Sequence, residues 1–316
     1  MTGVSFTCGA AALLIAALPC AAQPAPQQAP GQIAAAPLDF EVEKGRMTVP
    51  VSVNGRGPFD FVIDTGSERS VMSRELAASL DLRPGPGARV LDFIGATAVE
   101  TVHVPSLSIS SLGARAIEAP ALTMAHLGAP GLLGIDALQG HRVSIDFYRN
   151  RMEVRPAKRR PIGQIIVDAE LRAGQLIVTQ ASFQGQPIAV IVDTGSLVTV
   201  GNRAMLALAR NPPKLIGPIS VTAVTGRRFK ADLVSVNNLR IGGVRFDNVG
   251  MSFADVAPFA QFGLRDTPAL ILGMSSLSLF QRVEIDFANR EIAFTLPRPR
   301  IDFRTTCRAY LNCTAY

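Results

Sequence analysis

Short apolar runs rich in Val, Ile and Leu alternate with Gly- and Pro-centred breaks along most of the chain. Met47 to Val53 and Phe59 to Ile63 are β-branched, apolar segments separated by Asn54-Gly55-Arg56-Gly57-Pro58, a pattern that predicts a hairpin. Leu176 to Phe183 and Ile188 to Val192, separated by Gln184-Gly185-Gln186-Pro187, predict a second one. Short helices are expected at Ser73 to Leu80 and Asn202 to Ala209, with Ser73 and Asn202 as N-caps. The 316 residues include 27 glycines and 22 prolines and are only 18% charged, which favours many strands and turns over long solvated helices.

The pattern is written twice. Pro58-Phe59-Asp60-Phe61-Val62-Ile63-Asp64-Thr65-Gly66-Ser67 returns 129 residues later as Pro187-Ile188-Ala189-Val190-Ile191-Val192-Asp193-Thr194-Gly195-Ser196. The same offset pairs Ser70 with Thr199 and Val71 with Val200. Leu132-Leu133-Gly134 with Leu138 recurs as Ile271-Leu272-Gly273 with Leu277. Arg142-Val143-Ser144-Ile145-Asp146-Phe147 recurs as Arg282-Val283-Glu284-Ile285-Asp286-Phe287. Blocks repeated in one order describe a duplicated lobe.

Each Asp-Thr-Gly-Ser block follows an apolar strand, which puts its carboxylate at the strand's end. Gly66 and Gly195 permit a sharp turn and close approach. Ser67 and Ser196 can each donate a hydrogen bond to a carboxylate oxygen. Two such loops about a pseudo-two-fold axis would bring Asp64 and Asp193 together, where like charges cannot both ionise easily and one proton is shared. Such a pair can hold a water, take its proton and protonate a leaving amine. Asp146 and Asp286 recur inside strand-like Ile-Asp-Phe segments and are expected to be structural. Asp136 lacks a counterpart, because Met274-Ser275 stand in its place, and is left outside the site.

On these motifs the sequence resembles the aspartic proteases, in their retropepsin-like bacterial branch, from about Asp39 to Leu296. The resemblance implies an all-β fold with short helices, built as two pseudo-two-fold-related acid-protease lobes with the active site in the cleft between them. It implies Asp64 and Asp193 as the catalytic dyad. Thr65 and Thr194 would hydrogen-bond across the lobe interface, and Gly134 and Gly273 would pack behind the loops. The turns at Ile94-Gly95-Ala96 and Thr225-Gly226-Arg227 would stand where the family places a substrate-covering flap. Both halves of the dyad lie in one chain, so activity is expected from a monomer acting on a protein or peptide substrate. A non-catalytic peptide- or protein-binding module on the same fold is the alternative. The tyrosines, Tyr148, Tyr310 and Tyr316, are near neither turn, and Gln23 to Leu38 carries no Lys or Arg to mask an acidic dyad. A pepsin-type zymogen is not expected.

Composition adds the compartment. The apolar run Gly9 to Leu18 is too short to span a bilayer and ends at Pro19, before the small residues Cys20-Ala21-Ala22. This reads as a signal peptide over 1–22, with a retained anchor or a lipid anchor on Cys20 as alternatives. A Pro/Gln/Ala-rich tether is expected over 23–38, lobes over 39–156 and 162–296, a basic linker over 157–161 and a tail over 297–316. Removal of the signal leaves Cys307 and Cys313, expected to form a local disulfide in an oxidising, periplasmic or extracellular setting. No metal-ligand spacing occurs, so neither metal nor cofactor is expected. A net charge of +6 falls short of a nucleic-acid-binding composition. The basic stretch Arg149 to Arg160 reads as a solvated linker and strand edge or, alternatively, a polyanion contact.

Overall fold

The computed structural model describes residues 32–34, 47–109, 113–157, 165–172 and 175–297. The expected signal segment, Cys307, Cys313 and nearly all of the tail lie outside the described residues. Within the expected tether, Gln32–Ala34 runs as a strand parallel to Val244–Asp247, so that part pairs with the second lobe instead of hanging free.

The first lobe is a closed barrel. Thr48–Val53, Arg56–Ile63, Gly131–Leu133, Val71–Ser73, Arg115–Leu122 and Thr101–Ile109 pair in that order, and Thr48–Val53 pairs again with Thr101–Ile109 to close it. The second lobe repeats the order with Gln175–Phe183, Gln186–Val192, Ala269–Leu272, Val200–Gly201, Val249–Phe253 and Arg228–Val236. The hairpin turns are tighter than the sequence predicts. Only Asn54-Gly55 and Gln184-Gly185 turn, all four residues at positive φ, while Arg56, Gly57 and Pro58 are already strand. The two expected helices run over Arg74–Ser79 and Arg203–Leu206, alongside the short helices Met124–Leu127, Ile135–Leu138, Ala257–Gln261 and Met274–Leu277; the Ser73 hydroxyl accepts from the Leu76 amide and the Asn202 side chain from the Met205 amide.

Burial along the hairpin strands locates the groove. Val49, Val51 and Val53 are buried and alternate with more exposed neighbours, as in a strand with one face to the core. At the end of the next strand Phe61, Val62 and Ile63 are all buried. Phe61 and Ile63 enter the main core, whereas Val62 joins a separate cluster with Val71, Leu122, Leu127, Ala129 and Leu132. In the second lobe Val190 and Val192 face the main core and Ile191 faces its own cluster. Both faces of each strand are therefore covered just where it ends in aspartate.

The lobes are stitched by His141–Asp146 running antiparallel to Arg282–Asp286. The register sets Arg142 opposite Asp286 and Asp146 opposite Arg282. Arg142 donates to Asp286 Oδ2 through Nη2 (2.7 Å) and Nε (3.1 Å), and Arg282 Nη2 lies 3.1 Å from Asp146 Oδ2. The Asn289 amide and side chain also donate to Asp286, each at 2.9 Å. Burial opposes ionisation of both carboxylates. For Asp286 it is outweighed by the Asn289 and Arg142 donors, and for Asp146 by those of Arg149 and Arg282, so both pKa values fall below the ordinary 3.8. Both recurring aspartates are thus cross-lobe ties. Arg151–Pro156, within the basic stretch, is the edge strand beyond them, with Glu153 paired to Arg151 and Arg155.

A carboxylate with a depressed folded pKa stabilises the fold above its unfolded pKa, and that contribution disappears as pH falls through the folded value. Unfolding free energy should therefore drop below about pH 4. Asp286→Asn should cost about 3 kcal/mol at pH 7, because it removes the nearer carboxylate of Arg142 and leaves it only Glu284, at 3.9 Å. The loss should shrink below pH 3.8, which urea titrations at several pH values would measure.

Candidate active site

Each Asp-Thr-Gly-Ser loop begins where a central strand leaves its sheet. The Asp64 amide donates to Leu133 O (2.9 Å) and the Asp193 amide to Leu272 O (3.1 Å), the last rungs of parallel pairs. The next residue crosses to the other lobe. Thr65 Oγ1 donates to Val192 O (2.8 Å) and accepts from the Thr194 amide (3.1 Å). Thr194 Oγ1 donates to Ile63 O (2.7 Å) and accepts from the Thr65 amide (3.1 Å). Four bonds among buried groups thus join the two loops.

This grip brings the glycine of each loop against the opposite aspartate. A Cβ on Gly66 would fall 2.5 Å from Asp193 Cγ, and one on Gly195 would fall 2.3 Å from Asp64 Cγ. Only glycine lets each loop approach the opposite carboxylate so closely. Within its own loop, Asp64 Oδ1 accepts from the Gly66 amide at 2.9 Å. Asp193 Oδ1 accepts from the amides of Gly195 (2.9 Å) and Ser196 (3.1 Å). The serine hydroxyls do something other than the sequence suggests. Ser67 Oγ donates to Arg69 O (2.7 Å) and Ser196 Oγ to Val198 O (2.8 Å), so they brace the loops, and backbone amides bind the carboxylates.

Gly134 and Gly273 lie directly behind. An added Cβ would meet the Arg69 carbonyl carbon at 2.4 Å in the first lobe and Val198 O at 2.5 Å in the second. Their neighbours' amides hold the loops in matching ways, Ile135 to Ser67 O (2.9 Å) and Met274 to Ser196 O (2.8 Å). Ser70 and Thr199, paired by the repeat, each take the glycine amide on a hydroxyl, at 3.1 and 3.2 Å. Beyond them the symmetry ends. Ser70 Oγ donates to Asp136 Oδ1 (2.7 Å), which also accepts from the Ser70 amide (2.8 Å), whereas Thr199 Oγ1 meets Ser276 Oγ (2.7 Å). Asp136, set aside on sequence grounds, is a carboxylate brace behind the first loop. Its place two residues after Gly134, within reach of a recurring hydroxyl position, was the available signal.

The two expected flap turns are hairpin tips. Ala88–Leu91 pairs with Ala96–Val99 around Ile94 and Gly95, and Lys214–Thr222 pairs with Arg228–Val236 around Thr225 and Gly226. Gly95 (φ +146°) and Gly226 (φ +86°) take conformations that favour glycine. Ile94 is exposed, and its neighbour Phe93 packs on the second lobe's cluster. His103 pairs with Glu118, and the His126 ring abuts Gly226. Among the described residues no group of three or more His, Cys, Asp and Glu side chains is placed to hold a metal ion, and no helix is long and apolar enough to cross a membrane.

Removing one threonine hydroxyl strands a buried amide and weakens the satisfaction of a buried carbonyl. Thr65→Ala should cost about 2–3 kcal/mol in chemical denaturation, while Thr65→Ser, which keeps the hydroxyl, should stay within about 1 kcal/mol of the parent.

Two family models match, one per lobe. Residues 49–140 match the family described as "gag-polyprotein putative aspartyl protease", and residues 179–276 match "Aspartyl protease". No curated protein matches the chain. With one aspartyl-protease domain in each barrel, and the loops of both meeting at a single Asp-Thr-Gly-Ser grip, the chain belongs to the aspartyl proteases as a tandem of two retropepsin-like lobes.

Proposed function

We propose that the protein is an exported aspartic endopeptidase in which Asp64 and Asp193 act as one dyad on a single water. The observation that supports this most directly is the contact of each loop's glycine with the opposite aspartate, across the threonine grip. Two carboxylates in so confined a place share a proton, because a second negative charge is repelled by the first. The ionised partner takes a proton from the water as its oxygen attacks the peptide carbonyl carbon, and the protonated partner donates to the carbonyl oxygen. Collapse of the tetrahedral adduct breaks the C–N bond as the amine nitrogen receives a proton. The loop amides that bind one oxygen of each aspartate keep the pair in place without competing for the water.

The substrate is an extended protein or peptide segment, and one chain is sufficient, since each lobe supplies one aspartate. The apolar N-terminal run and the two cysteines remaining after its removal support export to the periplasm or beyond. There Cys307 and Cys313 would close a short loop in the tail.

The test is hydrolysis of denatured casein by the purified protein. Asp64→Asn and Asp193→Asn should each lower the rate by about a thousandfold or more, and the double variant should be no worse than either single one. The wild-type pH–rate profile should be bell-shaped, with one limb for each ionisation of the pair. Absence of hydrolysis by the wild type at any pH would favour a binding module. Hydrolysis largely intact in either single variant would overturn the shared dyad.

Specific activity should also stay flat on dilution. A steep fall would mean that two chains are needed to complete the site.

A further inference from the structure

The two hairpin tips belong to different lobes, yet they are tied to each other. Asp92 opens the first tip, and its Oδ1 accepts from the amides of Ile94 (2.8 Å) and Gly95 (3.0 Å), which shapes that turn locally. The same carboxylate reaches the other lobe's tip. Arg227 Nη2 lies 2.6 Å from Asp92 Oδ1 and also donates to Gly95 O at 2.6 Å, and Thr225 Oγ1 donates to Asp92 Oδ2. The Asp92 side chain is 3% exposed and that of Arg227 37%, so a buried carboxylate with several hydrogen bonds meets a guanidinium that keeps contact with solvent. Each of these donors to the carboxylate comes from one tip or the other.

Around this tie each tip is seated on the opposite lobe. Phe93 packs on the second lobe's apolar cluster, which contains Ile191, and meets Phe229 edge-to-face at 6.4 Å. Its carbonyl accepts from the Ala257 amide of the second lobe at 3.2 Å. Val224 packs on the first lobe's cluster, which contains Val62, and a Cβ on Gly226 would meet the His126 ring at 2.3 Å. Val62 and Ile191 each stand two residues before an aspartate of the central pair. The tips therefore cover the apolar surfaces that flank the two aspartates, and neither tip can lift without breaking the tie or dragging the other.

We propose that Asp92, Arg227 and Thr225 form a cross-lobe latch that holds both hairpins closed over the Asp64–Asp193 groove, and that a polypeptide enters only when this latch is undone. The latch rests on the endopeptidase reading only in naming what enters the groove. Its consequence for that reading is kinetic. Opening is a step separate from chemistry, both tips move together, and the chain admitted must be extended enough to pass between them. Each opening exposes Phe93, Val224 and their clusters at once, which favours apolar side chains in the entering segment as the groups that replace them.

The Ala257 amide reports the latch without reference to activity, because its acceptor is a carbonyl of the other lobe's hairpin, and neither Asp92 nor Arg227 is its partner. Hydrogen exchange would be followed in the full protein and in Arg227→Ala, Asp92→Asn and the double variant. Asn can still accept from the Ile94 and Gly95 amides, so Asp92→Asn removes the charge while keeping the turn. Exchange at Ala257 should accelerate about tenfold or more in each single variant, and the double should be no faster than the faster single. Strand 141–146, in the inter-lobe sheet, should exchange as in the parent. Unchanged exchange at Ala257 in both single variants would show that apolar seating alone holds the tips, and additive acceleration would show that the two residues act separately. Equal acceleration of 141–146 would mean general loosening. Each of these three results overturns the latch. A protein that cleaves no casein yet shows the expected exchange would retain the latch and lose the endopeptidase reading.

Discussion

Two threonine hydroxyls hold the centre of this molecule together. Each donates to a carbonyl at the end of the other lobe's central strand and accepts the amide of its own counterpart. The six groups in these four bonds belong to buried residues, so the bonds are costly to lose and specify one relative placement of the loops. The glycine–aspartate contacts depend on that placement. A shift of either loop would separate Gly66 from Asp193 or drive them into collision.

The inter-lobe sheet supplies the wider frame, by a different use of carboxylates. Asp146 and Asp286 face arginines of the opposite lobe and are held ionised despite burial. Asp64 and Asp193 each lie against the glycine of the opposite loop. One duplicated ancestor pattern thus carries two pairs of aspartates: one pair joins the lobes through opposite charge, and the other stands where the two Asp-Thr-Gly-Ser loops meet. The first must stay ionised for the lobes to remain stitched, which ties the stability of the frame to the pH at which the second would work.

Two departures from two-fold symmetry lie behind the loops and at the tips. Behind the loops, a carboxylate braces Ser70 where the hydroxyls of Ser275 and Ser276 meet Thr199. At the tips, the first lobe contributes an acidic turn and the second a basic one. A symmetric pair of tips would set like charge against like; the ion pair is possible only because the two copies diverged there. The same divergence puts an aromatic ring, Phe93, on one side of the groove and the smaller Val224 on the other.

Much of this was legible in the sequence because it is local or repeated. The alternation in Thr48–Val53, the Asn54-Gly55 and Gln184-Gly185 turns and the Ser73 and Asn202 caps follow from side-chain period, left-handed backbone and short polar side chains near their own amides. The duplication announced that Asp64 and Asp193 occupy equivalent strand ends. The tertiary structure decided what depends on distance between segments far apart in the chain. It turned the Ser67 and Ser196 hydroxyls onto nearby carbonyls, recruited Asp136 to Ser70 across 66 residues, and joined Asp92 to Arg227 across 135. A short-range pattern fixes dihedral angles and the buried face of a strand. Which buried charge meets which donor is set only when two barrels close on each other and exclude the water that would otherwise satisfy both.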